Sequence, residues 1–591
     1  MLKRNEAPYF IVVFSLFLCN VSSVNITNQV FGDSKDYSPA AFGDFNSDKL
    51  IDMFVLQDDG KTLQVLIAYA EEPYLRKDVL LKCTYKNMKI KSVVPSDFDG
   101  NGAMDVMIVS FDKEDRKYNI FVLWGNLTHI DCGDENDPLL KMNTQPLILD
   151  YNGDMISDIF GEDDNGLRNF WTFHNNAVTS PTKIPMLNES NVPLRLPSSN
   201  AFIDLDNDLG ADIWITTDKA FEVWTLNNGA WRLNETIEYP HDMLPDKRSQ
   251  SSFADVNLDG TLEVIVPVMN KKNCNLAIYD FETKLWSYIP LNLKDSKEKS
   301  WYFPTDSTDI HHRYLDTITL RVGDYNLDGY PDILVTLVSE SKPRITLLEN
   351  TASPDHDAYE RVFVPQWGKF DDFGDSVMGT FFDFQEDGSL DFLLVQVLAG
   401  PTYKVGAYKN AMEYDAMFVK VLVPSGRCYS DCPLKNIPYG TNQPGPAITY
   451  SIVTADGDIQ RSVSTQLSQT AHFALQLPYT IFGLGRNYNF VEVLKLGIPR
   501  ELNMSKTITS SFPQIIPNSQ LIVIPYPTNN PDHWVSKLYI QPSKAMIMTG
   551  GALVGTCLFV AAIIAVLHHR EKKQDYREKQ QDSHKFHFDA M

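Results

Sequence analysis

The stretch DYNLDGYPD, Asp324 to Asp332, has carboxylates or amides at its first, third, fifth and ninth positions and a glycine at its sixth. Such alternation makes either a solvated polar turn or a cage for a hard cation. The pattern recurs as DFNSDKLID from Asp44, DFDGNGAMD from Asp97, DYNGDMISD from Asp150, DLDNDLGAD from Asp204, DVNLDGTLE from Asp255 and DFQEDGSLD from Asp383. Successive starts are 53, 53, 54, 51, 69 and 59 residues apart, so the pattern is an internal repeat.

Each loop has the same surroundings. Short apolar runs such as AAFGD, VVPSD and TFFD precede it, and β-rich runs such as VMIVSF, IWITT and FLLVQV follow most of them. That is strand, tight loop, strand. A further strand follows with a recurrent ending, as in RITLLENT and KVGAYKN. Units of this length with three or four short strands match propeller blades, so an all-β, seven-bladed propeller is expected over residues 24–410. A helical solenoid is excluded because the 3.6-residue period is missing.

Calcium takes six to eight oxygens in a tolerant geometry, whereas magnesium demands a strict octahedron. Side chains at positions 1, 3 and 5 fold onto one centre, and the position 7 carbonyl and position 9 carboxylate close the shell. The expected ligands are Asp44, Asn46, Asp48 and Asp52, then Asp97, Asp99, Asn101 and Asp105, then Asp150, Asn152, Asp154 and Asp158. They continue with Asp204, Asp206, Asp208 and Asp212, and with Asp255, Asn257, Asp259 and Glu263. The last two sets are Asp324, Asn326, Asp328 and Asp332, and Asp383, Gln385, Asp387 and Asp391. These positions carry 22 acidic side chains against a whole-chain net charge of −24, so without them the protein would be nearly neutral, a balance that suits bound structural Ca²⁺. Gly102, Gly260, Gly329 and Gly388 suit the bend at position 6, and Lys49, Met155 and Leu209 suit it less.

The chain ends set the compartment. Met1 to Ser23 has a basic start (Lys3, Arg4), an apolar stretch and small residues near its end, the layout of a secretory signal peptide cleaved after Ser23. Ala545 to Leu567 is 23 residues without a charge, long enough as a helix to cross a hydrocarbon core of about 30 Å. Arg570, Lys572 and Lys573 follow, which puts residues 568–591 in the cytosol. A single-pass type I protein of the plasma membrane is expected, with its N-terminus outside. Sequons at Asn25, Asn126, Asn188, Asn234 and Asn503 suit a glycosylated ectodomain. Five cysteines fall in an oxidising compartment, and Cys428 and Cys432 are close enough for a local disulfide; the pairing of Cys83, Cys132 and Cys274 is open.

The repeats resemble the FG-GAP or VCBS repeats of integrin α-chain propellers. The chain as a whole is similar to the T-cell immunomodulatory protein (Linkin) family, through AAFGDFNSD, DYNLDGYPD, NQPGPAITY, QLSQTAHFALQLPY, FGLGR, IIPNSQLIVIPYP and the terminal FHFDAM. The resemblance implies a surface glycoprotein linked to cell adhesion and to modulation of T-cell responses, whose ectodomain also acts when shed or secreted. The long leg region of an integrin α-chain and a D-x-S-x-S motif are missing, so integrin-like ligand chemistry is not implied.

Residues 411–541 change pattern. FVKVLV, AITYSIV, HFALQL, FVEVLKL and SQLIVIPY, separated by Gly and Pro, read as a smaller membrane-proximal β-sandwich. Val24 to Phe31 is expected to close the propeller as the outer strand of its last blade, with DAMFVKVLV as the competing candidate. The aromatic insertion KSWYFPTDSTDIHHRY, from Lys299, suggests either a partner-binding surface or packing against a blade. Gly551 and Gly555 form a G-x-x-x-G that permits a homodimer. The expected partners are a cell-surface or extracellular protein ligand and a cytosolic partner of the short tail, with no nucleic acid. No enzyme is expected, since G-x-S-x-G, H-E-x-x-H, P-loop and dinucleotide fingerprints are missing. The alternatives are a lumenal chaperone or cargo receptor, or a propeller enzyme with an unrecognised site.

Overall fold

The β-branched and aromatic runs flanking the acidic loops form strands in the computed structural model. It describes residues 23–588 except 175–179, 244–248, 305–312, 341, 354–359, 371–372, 399–401, 412–415, 428–438, 455–456, 470–473, 487–488 and 542–543. Residues 1–22 of the expected signal peptide, Cys428, Cys432 and the adjacent histidines His311 and His312 therefore lie outside the described residues, whereas Ser23 is described.

Among the described residues, seven four-stranded antiparallel sheets are built from residues 23–410. The second is typical. Ile90–Ser96 runs into the acidic loop, Asp105–Asp112 returns, and Lys117–Leu123 and Leu140–Met142 complete the sheet outward. In every sheet the ninth loop residue is the first residue of the second strand, from Asp52 to Asp391. All acidic loops thus lie at one end of their sheets, and the hairpins between second and third strands lie at the other.

The sheets pack side by side as a propeller. First and last meet through Phe42 and Phe382, whose rings are 4.8 Å apart, in a core that also holds Phe54 and Val395. The circle closes through Ser23–Asn25, which pairs with Tyr403–Asn410 as the outermost strand of the last sheet. Closure by the N-terminus is as expected, but the strand is three residues long, because Thr27–Phe31 coils into a helical turn. A strand would send Val30 and Phe31 to opposite faces; the turn buries both, with Phe31 against Tyr37 and Phe384. DAMFVKVLV, the competing candidate, supplies Met417–Leu422 to the C-terminal module instead.

The described part of the aromatic insertion packs against the blades. Trp301 and Phe303 are buried in the core of the fifth and sixth sheets. Tyr314 is buried at the far end of the hub, its hydroxyl donating to the Pro39 carbonyl at 2.7 Å.

The C-terminal module is a sandwich of two four-stranded sheets. One orders Thr480–Gly485, Met417–Leu422, Ser519–Ile524 and Val535–Ile540 side by side. The other orders Ile459–Thr465, Ala447–Val453, Val491–Ile498 and Ile508–Ile515. Val419, Val421, Ile448, Leu494 and Leu496 fill its core. HFALQL is no strand in its described part: Ala474 and Leu475 are buried in the hub of the propeller, so the apolar alternation serves a loop packed against another domain.

Beyond the module, Lys544–Phe588 is one continuous helix, and Leu553, Val554, Leu558 and Phe559 on it are exposed. It is long and apolar enough to cross a membrane, and the chain is a single-pass membrane protein. All five sequon asparagines are exposed.

One disulfide is formed among the described residues. Cys83 on the fourth strand of the first sheet joins Cys132, beyond the third strand of the second, while Cys274 is buried and free. It closes a sequence separation of 49, so Cys83→Ser is expected to cost about 2–5 kcal/mol. The measurement is the denaturant midpoint of variant and parent under oxidising conditions. Equal midpoints would show that the bridge adds nothing.

Candidate metal centre: seven acidic loops beneath the C-terminal module

Every loop makes the same two bends. Position 4 has positive φ in all seven, from Ser47 at 58° to Glu386 at 53°, and so does position 6, from Lys49 at 80° to Gly388 at 78°. At position 6 glycine adopts this conformation freely, while Lys49, Met155 and Leu209 carry a strain of about 1–2 kcal/mol. The second bend aims the position 6 N–H at the position 1 carboxylate. That bond forms in all seven loops at 2.8–3.0 Å, so the loops share one geometry whatever residue sits at the bend.

The position 9 carboxylate ties loop to sheet. Asp105 accepts the Phe98 N–H of its own loop at 2.9 Å and the Gly125 N–H beyond the third strand at 2.8 Å. Asp52, Asp158 and Asp332 do the same with Phe45 and Ala68, Tyr151 and Phe173, and Tyr325 and Asn350. The recurrent Asn that ends a third strand has a second use. Asn350 donates its side-chain amide to the Val256 carbonyl of the preceding loop at 3.1 Å, and Asn410 donates to Tyr325 at 2.6 Å.

The remaining side chains converge. Asn46, Asn152, Asn257 and Asn326 at position 3 each donate to the position 5 aspartate, Asp48, Asp154, Asp259 or Asp328. Carboxylate oxygens of Asp97, Asp99 and Asp105 lie within 4.8 Å of one another, as do those of Asp204, Asp206 and Asp208 and those of Asp255, Asp259 and Glu263.

Positions 1 and 9 are buried in every loop. Burial, reinforced by neighbouring loop carboxylates, pushes Asp44, Asp97, Asp150, Asp204 and Asp255 up to about 7. Asp52, Asp105, Asp158, Asp212, Glu263 and Asp332 stand well above the ordinary range for the same first reason. Glu263 Oε1 is buried and has no hydrogen-bond partner.

The sequence does not reveal what covers these loops. The C-terminal module sits on all seven. Tyr439 bonds Asp44 in the first loop. Arg427 donates to the Gly100 carbonyl of the second at 3.1 Å and to the Asp154 and Met155 carbonyls of the third, where Gln443 also reaches Asp150 at 3.3 Å. Thr507 and Arg500 meet Asp208 in the fourth, and Arg461 lies against Gly260 in the fifth. In the sixth, the Gly485 N–H donates to the Leu327 carbonyl at 2.7 Å. In the seventh, Phe418 lies on Gly388 and the Lys420 ammonium is 3.0 Å from Asp383.

Glycines make this contact possible. A Cβ on Gly483 would lie 2.0 Å from Asp324 Oδ2, and one on Gly497 would lie 2.1 Å from the Leu209 carbonyl. Gly483→Ala is expected to destabilise the protein by about 2 kcal/mol or more, whereas Gly368→Ala, with nothing within 4 Å of its Cβ, should stay within about 0.5 kcal/mol. Denaturant titration of both chains checks this. A pH dependence also follows. A carboxyl with a raised folded pKa keeps its proton in the native state, so its contribution is full below the unfolded value of 3.8 and is lost as pH climbs through about 7. In chelator, stability should fall from pH 4 to 7, the window set by those two values, and a rise across it would contradict the loop electrostatics.

Comparison with known proteins agrees with this architecture. The family model described as "ITFG1, C2 domain" matches residues 438–539, within the module. The solved structure of the Dos1 propeller covers 67% of this chain and 95% of its own, at 9% identity and a TM-score of 0.31, and the fold is read from the sheets rather than from that likeness. The chain is 28% identical to protein linkin of Caenorhabditis elegans over 93% of this chain and 95% of that protein. It is 40% identical to the T-cell immunomodulatory protein of Homo sapiens, over 96% of this chain and 94% of that protein. With close to its whole length aligned at that identity, and with propeller, module and helix in place, the chain belongs to the T-cell immunomodulatory protein family.

Proposed function

We propose that this is a type I cell-surface glycoprotein whose acidic loops hold structural calcium between propeller and C-terminal module, and which acts in adhesion and T-cell modulation through protein contacts. The observation that carries the calcium reading is the pair of buried carboxylates in each loop. In the fifth loop, Glu263 Oε1 has no partner while Asp255 and Asp259 converge beside it. Buried charges of one sign need a counter-ion. The donors are hard oxygens from flexible side chains, which suits calcium over a transition metal. Asp255, Asn257, Asp259 and Glu263 would hold the ion in that loop, and the matching positions of the first four loops and the sixth would do the same. The ion supplies positive charge at the domain contact and takes part in no reaction.

The adhesion and immune reading rests on the family. A non-catalytic role belongs to the same reading. Leu475 and Tyr479 of the module are buried against the propeller beside a cavity of about 160 Å³. The exposed sequons and the outward-facing apolar helix support a glycosylated, membrane-anchored ectodomain.

Chelating calcium from the full-length chain in nanodiscs should lower its melting temperature, and excess calcium should restore it. Each filled site adds about 2.7 kcal/mol at a hundredfold excess over its dissociation constant. Asp324→Asn should remove part of that gain, and an unchanged melting curve in chelator would refute the calcium reading. For topology, an N-glycosidase should collapse the surface-labelled chain by steps that Asn25→Gln, Asn126→Gln, Asn188→Gln, Asn234→Gln and Asn503→Gln each reduce by one. A chain whose mobility the enzyme leaves unchanged would refute the orientation.

A further inference from the structure

The seventh loop departs from the other six. Its position 3 is Gln385, which donates to the Tyr74 hydroxyl at 3.1 Å instead of pairing with position 5. Lys409 reaches in from the third strand of the same sheet, bonds Gln385, and lies 3.3 Å from Asp387 Oδ2. Positions 3 and 5 are therefore engaged by a lysine.

A second lysine comes from the module. Met417–Leu422 is an inner strand of its sheet, with Thr480–Gly485 on one side and Ser519–Ile524 on the other. Val419 and Val421 face the module's own core, so strand alternation turns Phe418, Lys420 and Leu422 toward the propeller. The Lys420 side chain is 1% exposed. Its ammonium lies 3.0 Å from Asp383 Oδ2, bonds the Glu386 carboxylate, and sits 4.0 Å over the Tyr479 ring. Tyr479 in turn accepts the Asp383 N–H at 3.1 Å.

We propose that Lys420 is the cation of the seventh loop, so that this loop takes no calcium and instead locks the C-terminal module to the propeller whether or not the other loops are filled. An ammonium and a divalent ion cannot share one buried carboxylate, because their repulsion is strong where water is excluded. Of the four ligand positions, Asp383 is taken by Lys420, and Gln385 and Asp387 are taken by Lys409. The oxygen left over, Asp391 Oδ2, is a single donor, too few for calcium. The other loops differ at their first carboxylate: the module meets the first loop with the neutral hydroxyl of Tyr439 and the third with the neutral amide of Gln443, Arg427 addresses carbonyls rather than carboxylates, and in the fourth Arg500 stands 3.7 Å from the exposed position 5 carboxylate of Asp208 rather than on the buried Asp204. A buried lysine with two carboxylate partners also fixes register, since a shift of the strand by one residue would strand the charge in the sandwich core.

The calcium contrast rests on the reading that the other loops bind calcium; the lock itself does not. Two arms on the full-length chain in nanodiscs separate them. In calcium, the bound-ion count by native mass spectrometry should fall by one in Asp324→Asn and stay at the parental value in Asp383→Asn. Loss of one ion in Asp383→Asn would overturn the proposal and leave the calcium reading standing. In chelator, Lys420→Met and Asp383→Asn should each shift the unfolding equilibrium by about a hundredfold or more, and the double variant should be no worse than the worse single. Multiplying losses in the double variant would overturn the lock, even if no loop bound calcium at all. Should Lys420→Met fail to fold, Glu386→Gln against Asp383→Asn in the same chelator cycle, together with the ion count, decides the question.

Discussion

A buried carboxylate at the first residue of each second strand is the constraint from which the propeller's loop face follows. An ionisable group at that depth needs partners for its oxygens. Asp105 meets the condition by accepting one N–H from its loop and one from beyond the third strand. The bend of the loop, the start of one strand and the end of another are thereby set together. Asn350 and Asn410 carry the same logic from one sheet to the next, since each links its own sheet to the preceding loop.

The loop face built in this way is the seat of the C-terminal module. The module covers it with neutral donors, backbone contacts and four cations, and two of those cations, Arg427 and Lys420, use the loops in opposite ways. Arg427 takes outward carbonyls of the second and third loops and not their carboxylates. Lys420 takes the carboxylate itself. The close approach depends on glycines on both sides, Gly388 in the propeller and Gly483 and Gly497 in the module, where any side chain would run into the facing domain. Gly388 therefore answers to two demands, a positive φ and the ring of Phe418.

Much of the fold was legible in the sequence, because its signals are local and repeated. Seven copies of a nine-residue pattern located the loops, the period-two runs beside them located the strands, and 23 residues without a charge located the helix. The misreadings were segments whose partners are distant in sequence. HFALQL has strand-like alternation, yet its leucine fills the hub of another domain. VNITNQVF supplies only Val24 and Asn25 to a closing strand of three residues, because adjacent Val30 and Phe31 both needed the core. Lys420 carried a weak signal in FVKVLV, a charge amid valines on an inner strand, but nothing in that run says which carboxylate it meets.

The sequence by itself determined the repeat, the residue types at each loop position and the bends that glycine permits, since these depend on contacts a few residues apart. Tertiary structure decided that all seven loops meet one partner, that Cys83 pairs with Cys132, and that the first carboxylate of the seventh loop receives a buried ammonium. The reason is physical. Asp383 and Lys420 are ordinary residues 37 positions apart, and only the closing of the propeller beneath the module brings their opposite charges together away from water.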